Sequence, residues 1–205
     1  MNFIFSELTK LLVATGYGFL KTVEVINLDS ANPGLVCDNL PEYPDGFYSG
    51  TGQLYNKKTP IICGGYKPDG IESCDCYALQ NQSWTKISSL KDCRRFPASA
   101  LVSLEQEEEI MMITGGYDGS TVSKSVESFD GTDWEQGQLP ELPNEIWDHC
   151  LLKINATTLL LIGGRETTFY MSATAKTHFF HADKNQWSPG TNVIKLFPAA
   201  SYKFL

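Results

Sequence analysis

The run Glu109-Ile-Met-Met-Ile-Thr-Gly-Gly-Tyr-Asp-Gly119 decides the fold. An apolar, β-rich stretch ends abruptly in a glycine pair, with turn residues behind it, and reads as a strand followed by a loop. The same pattern stands at Ile61-Ile-Cys-Gly-Gly65 and Leu161-Ile-Gly-Gly164, so the leading glycines Gly64, Gly115 and Gly163 are spaced by 51 and 48 residues. A weaker copy, Leu12-Val-Ala-Thr-Gly-Tyr-Gly18, precedes Gly64 by 48. A second marker keeps step: Trp84, Trp134 and Trp187 follow their glycine pairs by 20, 19 and 24 residues. A third, Phe-Pro-Ala, starts at Phe96 and Phe197, 101 residues or two periods apart. Three markers with one period define an internal repeat of about 50 residues.

Each repeat reads as four short strands, A to D. In the third they are expected at about Ala98–Leu104, Glu109–Thr114, Ser125–Phe129 and Trp134–Leu139. Gly119 turns B into C, Asp130-Gly131 turns C into D, and Pro140 and Pro143 end D. Equivalent C strands are Cys76-Tyr-Ala-Leu79 and His178-Phe-Phe180.

Composition excludes several function classes. The 205 residues carry 16 Lys and Arg against 24 Asp and Glu, a formal charge of −8, which disfavours a nucleic-acid backbone as partner. No apolar run approaches the ~20 residues of a membrane-spanning helix, so membrane insertion is not expected. Residues 1–10 do not read as a signal peptide, lacking a basic start and a continuous apolar stretch. Both termini read as though the chain enters and leaves mid-structure.

A four-stranded meander recurring with Gly-Gly and Trp markers resembles the kelch repeat, one blade of a β-propeller. The resemblance covers residues 11–205, in repeats of about 11–44, 45–92, 93–143 and 144–196, with the start of a further strand at 197–205. It implies an all-β, kelch-type propeller of three full blades plus a split or partial fourth. It also implies that each glycine pair closes a B strand where backbones pack closely, and that each Trp packs between blades. The first copy departs, with Tyr17 in place of the second glycine and Leu35 at the Trp position. The final A strand is expected either to complete the first blade, closing a four-bladed ring, or to continue an open segment of a larger ring. The fragment is favoured; its exposed apolar blade faces would make it self-associate.

Of six cysteines, four lie between Cys63 and Cys93. Cys63 with Cys74 is the preferred disulfide, because an antiparallel B–C hairpin can place them opposite. Buried thiols acting as small apolar residues are the alternative, and the expected state of Cys150. No zinc-type spacing occurs. Asn81-Gln-Ser83 and Asn155-Ala-Thr157 fit the N-glycosylation pattern, in a C–D and an A–B turn. Sequons and cysteines together point to an extracellular protein, with a cytoplasmic one as the alternative.

No catalytic constellation is expected, and no metal or cofactor. His178 and His181 fall on opposite faces of a strand, and His149 beside Asp148 reads as a structural hydrogen bond. Arg165-Glu166 is the nearest catalytic pair, weakened by the alternation of adjacent residues. The acidic run 105–109 reads as a solvated hairpin tip. Function is therefore expected on the rim where B–C loops and D–A connections emerge together. That rim carries Tyr66, Lys67, Asp69, Arg94, Arg95, Tyr117, Asp118, Trp147, Arg165, Glu166, Phe169 and Tyr170, rich in the aromatic and Arg residues that dominate interfaces. Arg95 and Trp147 could equally serve to anchor strand A. The expected function is a non-catalytic module binding a protein or peptide. The alternatives are a carbohydrate-acting propeller enzyme, mutarotase-like or oxidase-like, and the substrate-recognition part of an intracellular BTB-kelch adaptor.

Overall fold

The computed structural model describes residues 2–6, 10–16, 18, 20–28, 34–36, 40–104, 109–169 and 173–192. Tyr17, Cys37, Tyr170, residues 105–108 of the acidic run and the strand expected from 197 lie outside them. The described residues contain strands and one 3-10 turn, Ala182–Lys184, and no α-helix.

The chain divides into two units, Met1–Arg95 and Phe96–Leu205. The first holds β1 (Asn2–Ser6), β2 (Lys10–Gly16), β3 (Leu20–Asn27) and β4 (Gly34–Val36) in one antiparallel sheet. Its second sheet is β5 (Thr51–Tyr55), β6 (Thr59–Cys63), β7 (Cys76–Gln80) and β8 (Ser83–Lys86). The second unit repeats the plan with β9 (Ala98–Ser103), β10 (Glu109–Thr114), β11 (Val126–Phe129) and β12 (Trp134–Gln136). Its other sheet is β13 (Cys150–Lys153), β14 (Thr158–Ile162), β15 (Thr177–His181) and β16 (Gln186–Pro189). In every sheet the spatial order is the chain order, an up-and-down meander. The all-β architecture of four-stranded antiparallel sheets is as expected. The first sheet, however, is neither split nor partial, and it starts before residue 11. Asn2–Ser6 pairs with Lys10–Ala14, so the chain supplies this sheet with its own A strand. The apolar run Phe3-Ile4-Phe5 at its centre is too short to stand out from a polar-flanked terminus.

Within each unit the two sheets share a core. In the first, Leu12 and Ala14 of β2 meet Leu54, Ile62 and Trp84, with Tyr43 and Phe47 from the β4–β5 connection between them. In the second, Ala100, Val102 and Met112 meet Leu159, Leu161 and Phe180, again with residues of the connecting segment, Leu142 and Ile146. Each Leu, Ile, Val, Met or Phe among them contributes roughly 1.5–3 kcal/mol of burial, the alanines less.

The marker residues have a common geometry. Each Trp faces an apolar residue across strands C and D: Leu79 opposite Trp84, Phe129 opposite Trp134, Phe180 opposite Trp187. The indole N–H of Trp84 donates to the Pro41 carbonyl at 3.1 Å, and that of Trp187 to Pro140 at 3.3 Å. Each of these two thus ties its sheet to the connection entering it. The glycine pairs share one backbone: φ is +70° and +105° at Gly64/Gly65, +58° and +104° at Gly115/Gly116, +63° and +96° at Gly163/Gly164. Side chains are strongly disfavoured there, which is why glycine recurs.

The cysteine pairing differs from the expected one. Cys63 joins Cys76, and Cys74 joins Cys93. The register of β6 on β7 sets Cys63 directly opposite Cys76, two residues beyond the preferred partner, while Cys74 precedes the strand and meets the segment after β8. Cys150 is in no disulfide among the described residues, and it is half-buried where a buried thiol is expected.

Candidate functional site

The strand order brings each sheet's B–C loop and D–A connection to one end, where backbone bonds stitch them together. In the first unit Gly65 N–H donates to the Arg94 carbonyl at 2.8 Å, Ser73 N–H to Gly65 at 2.8 Å, and Arg94 N–H to Ser73 at 3.2 Å. The second unit reproduces the three bonds with Gly116 to Ile146 at 2.9 Å, Ser123 to Gly116 at 2.9 Å, and Ile146 to Ser123 at 3.0 Å. A hydroxyl at the same place in each loop accepts the amide two residues on: Ser73 from Asp75, Ser123 from Ser125, Thr174 from Lys176. Loops built this way are rigid platforms for the residue after each glycine pair, namely Tyr66, Tyr117 and Arg165.

In the first unit the Tyr66 backbone bridges Tyr48 on one side and Glu72 on the other. Its ring meets Tyr48 edge-on at 5.5 Å, and the Arg95 guanidinium lies 4.5 Å from its centroid. Arg95 Nε is also 3.4 Å from Glu72 Oε1, so Arg95 is held over Tyr66 while still partly exposed. Asp75 sits between Lys67 and Lys86. Burial pushes its carboxyl up, but the two ammonium groups outweigh that and hold it below the ordinary value. Arg94 is not a docking residue: it is 1% exposed, and its guanidinium binds the Asp92 carbonyl and carboxylate at 3.1 and 3.2 Å.

In the second unit Trp147 is the centre. Phe96 stands 5.2 Å and Tyr117 6.0 Å from its ring, Arg165 stacks at 5.3 Å, and its indole N–H donates to Thr167 at 2.8 Å. Trp147 and Arg165 are both buried, Arg165 Nε lying 3.3 Å from Asp148 Oδ2. Trp147 and Arg165 therefore support the rim from beneath. Glu166 pairs with Lys176 at 2.7 Å, so Arg165 and Glu166 face different partners. Asp118, exposed, accepts the amides of Ser120 and Thr121 and the Thr121 hydroxyl. Asp69 likewise accepts the Ile71 amide at 3.2 Å.

What remains accessible is Tyr66, Lys67, Asp69, Arg95, Tyr117, Asp118, Glu166 and Phe169. Phe169 is 76% exposed, on the β14–β15 loop; Ile71 is 60% exposed, on the β6–β7 loop. Ile71 and Tyr48 were missed by sequence reasoning. Ile71 follows Pro68-Asp69-Gly70, a turn signal that gives no periodicity against which an outward apolar residue could register. His149 is buried and shares a hydrogen bond of 2.8 Å with Thr114. Burial lowers the pKa of His178, helped by the charge of Lys176. No cluster of three metal-ligating side chains occurs among the described residues. The recess lined by Pro143, Ile146, Glu166, Lys176 and His178 is too small to enclose a sugar ring. No helix among the described residues is long and apolar enough to cross a membrane.

No protein-family model and no curated protein sequence matches the chain. Among solved structures it is similar to that of YjhT, a propeller protein, with 12% identity and a TM-score of 0.76 over 95% of this chain. The chain spans 66% of the length of that structure. At this identity the likeness speaks for the fold alone, and with four meander sheets it makes the fold that of a β-propeller.

Proposed function

We propose that the chain is a kelch-type propeller segment acting as a non-catalytic interaction module. It binds a protein or peptide on the rim formed by the B–C loops and D–A connections, outside the cell. The observation that carries this reading recurs in each unit by itself: an outward apolar residue on a B–C loop, Ile71 in the first unit, whose loop starts at half-exposed Tyr66 under Arg95, and Phe169 in the second, whose rim also carries half-exposed Tyr117. Apolar anchors next to aromatic and Arg side chains are the composition of interface hot spots. The repeated glycine torsions and Trp contacts support the kelch assignment. Two disulfides suit an oxidising compartment and count against the cytosolic adaptor reading. The enzyme reading is weakened because Arg165, Glu166 and His149 are each engaged in a separate contact.

A random-peptide display library selected on the wild-type protein tests this. Enriched peptides should lose at least about tenfold in affinity, roughly 1.4 kcal/mol, for Ile71→Asp or Phe169→Asp, with thermal unfolding unchanged. Peptides that bind both variants as well as wild type would place recognition elsewhere.

A further inference from the structure

The two disulfides of the first unit differ in a way that bears on the rim. Cys63 and Cys76 are 0% exposed, sealed between paired strands β6 and β7. Cys74 and Cys93 are both partly exposed, and their bond links the β6–β7 loop to the segment after β8. It closes beside the stitch of Gly65, Ser73 and Arg94, one residue from Ser73 and one from Arg94. Arg95, the residue held over Tyr66, comes next in the chain. The second unit shows that this stitch forms without a covalent link. There the positions of Cys74 and Cys93 are Lys124 and Glu145, preceding Ser125 and Ile146 as the cysteines precede Asp75 and Arg94. Lys124 pairs with Glu141 and also feels the charge of Glu145. The blade plan thus tolerates a plain ionic arrangement where the first unit has a sulfur bridge.

We propose that Cys74–Cys93 is a reducible clamp on the partner-binding rim, opened without unfolding the sheet, whereas Cys63–Cys76 is a structural bond. The inference rests on the rim reading above. A dithiol reductant supplies two electrons. One thiolate attacks a clamp sulfur and breaks the S–S bond, its second thiol resolves the mixed disulfide, and the reductant leaves as a cyclic disulfide. Two protons end on the Cys74 and Cys93 thiols. Attack requires access to sulfur, which the half-exposed pair offers and the buried pair denies. Opened, the clamp leaves the segment carrying Arg94 and Arg95 without its covalent link to the β6–β7 loop, while its backbone bonds and the contacts of Arg95 with Glu72 and Tyr66 remain.

The test is graded reduction of the whole protein with dithiothreitol, followed by iodoacetamide labelling, mass mapping and hydrogen exchange. Cys74 and Cys93 should label at least about tenfold faster than Cys63 and Cys76. The amides of Gly65, Ser73 and Arg94 should then exchange at least about tenfold faster, while Gly116, Ser123 and Ile146 stay unchanged as an internal control. Peptides selected on the oxidised protein should lose affinity by a similar factor. A double variant, Cys74→Ser with Cys93→Ser, should show the fast exchange without reductant. Cys74→Lys with Cys93→Glu should be folded and insensitive to dithiothreitol. Joint reduction of both bonds on global unfolding would overturn the proposal. So would early loss of the clamp with the three amides still protected. Failure to select any peptide would count against the rim reading only, because labelling and exchange report on the clamp by themselves.

Discussion

At the scale of single residues, recurrence of torsion angles explains recurrence of letters. Gly115 occupies φ +58°, and a Cβ there would collide with the Ile146 carbonyl, 2.8 Å from the His149 ring and 3.3 Å from Leu142. Gly137 has φ +83° but open space around it. Gly115→Ala is therefore expected to cost about 2–4 kcal/mol, backbone strain plus overpacking, against about 1–2 kcal/mol of strain alone for Gly137→Ala. Urea unfolding of the two variants checks the ranking, and equal losses would mean that close packing plays no part. The residues that sequence reasoning misjudged fail for a related reason. Arg94 and Arg165 have interface-type chemistry, and nothing in their letters tells a side chain lying under a rim from one lying on it; Trp147, open to both readings in the sequence, is buried as an anchor would be. Burial is decided by the loops that fold over them. The cysteine pairing turned on an offset of two positions, which depends on where β7 begins.

Strands and loops were legible to different degrees. Expected strand B of the third repeat coincides with β10, Glu109–Thr114, and C and D end or begin within a few residues of β11 and β12. Apolar runs bounded by turn residues carry that information locally. The D strands are short, three or four residues each, and Trp was the visible sign of β8, β12 and β16, with none in β4. The B–C loops were legible as loops but not in shape, because their form comes from hydroxyl and carboxylate acceptors reading amides two or three residues away. Those carboxylates make the loops sensitive to acid. Burial pushes Asp118 up, but the Thr121 and Ser120 amides and the Thr121 hydroxyl pull it further down, leaving it below its ordinary 3.8. Asp75 is lowered as well, by Lys67 and Lys86 against burial. A carboxyl lowered in the folded state stabilises above its unfolded pKa and loses that contribution as pH falls through the folded value. The melting temperature should therefore fall as pH drops below about 4, and Asp118→Asn should flatten part of that slope. A slope unaltered by both Asp118→Asn and Asp75→Asn would assign the acid sensitivity to other groups.

For the molecule as a whole, the period of the markers was sufficient to give the all-β class and the meander topology, since each sheet restates the same plan. The sheet at the N-terminus was read as incomplete because its first strand lacks every marker. The two sequons also belong to this scale. Asn81 and Gln82 form the β7–β8 turn with φ +49° and +58°, a two-residue hairpin tip pointing into solvent. Asn155, exposed on the β13–β14 turn, accepts the Thr157 amide at 3.0 Å. Both turns lie at the ends of their sheets away from the glycine pairs, so glycans there would leave the loops proposed for binding clear. Produced through a secretory pathway behind an added signal, the protein should lose mass on glycosidase treatment, with Asn81→Gln and Asn155→Gln each removing one step. Unchanged mass at both positions would sink the extracellular proposal.

One backbone feature reaches further. Ser49, Phe96 and Asp148 all have positive φ, at +63°, +54° and +56°, and each stands two residues before an A strand. A bend that glycine would adopt more readily is made instead by three chemically unlike side chains, a small hydroxyl, an aromatic ring and an acid. The fold fixes the torsion, and the torsion by itself leaves the letter open. Each letter is instead matched to its own neighbours, Phe96 to the Trp147 ring and Asp148 to the buried Arg165, so exchanging either would also strip a support from the rim above it.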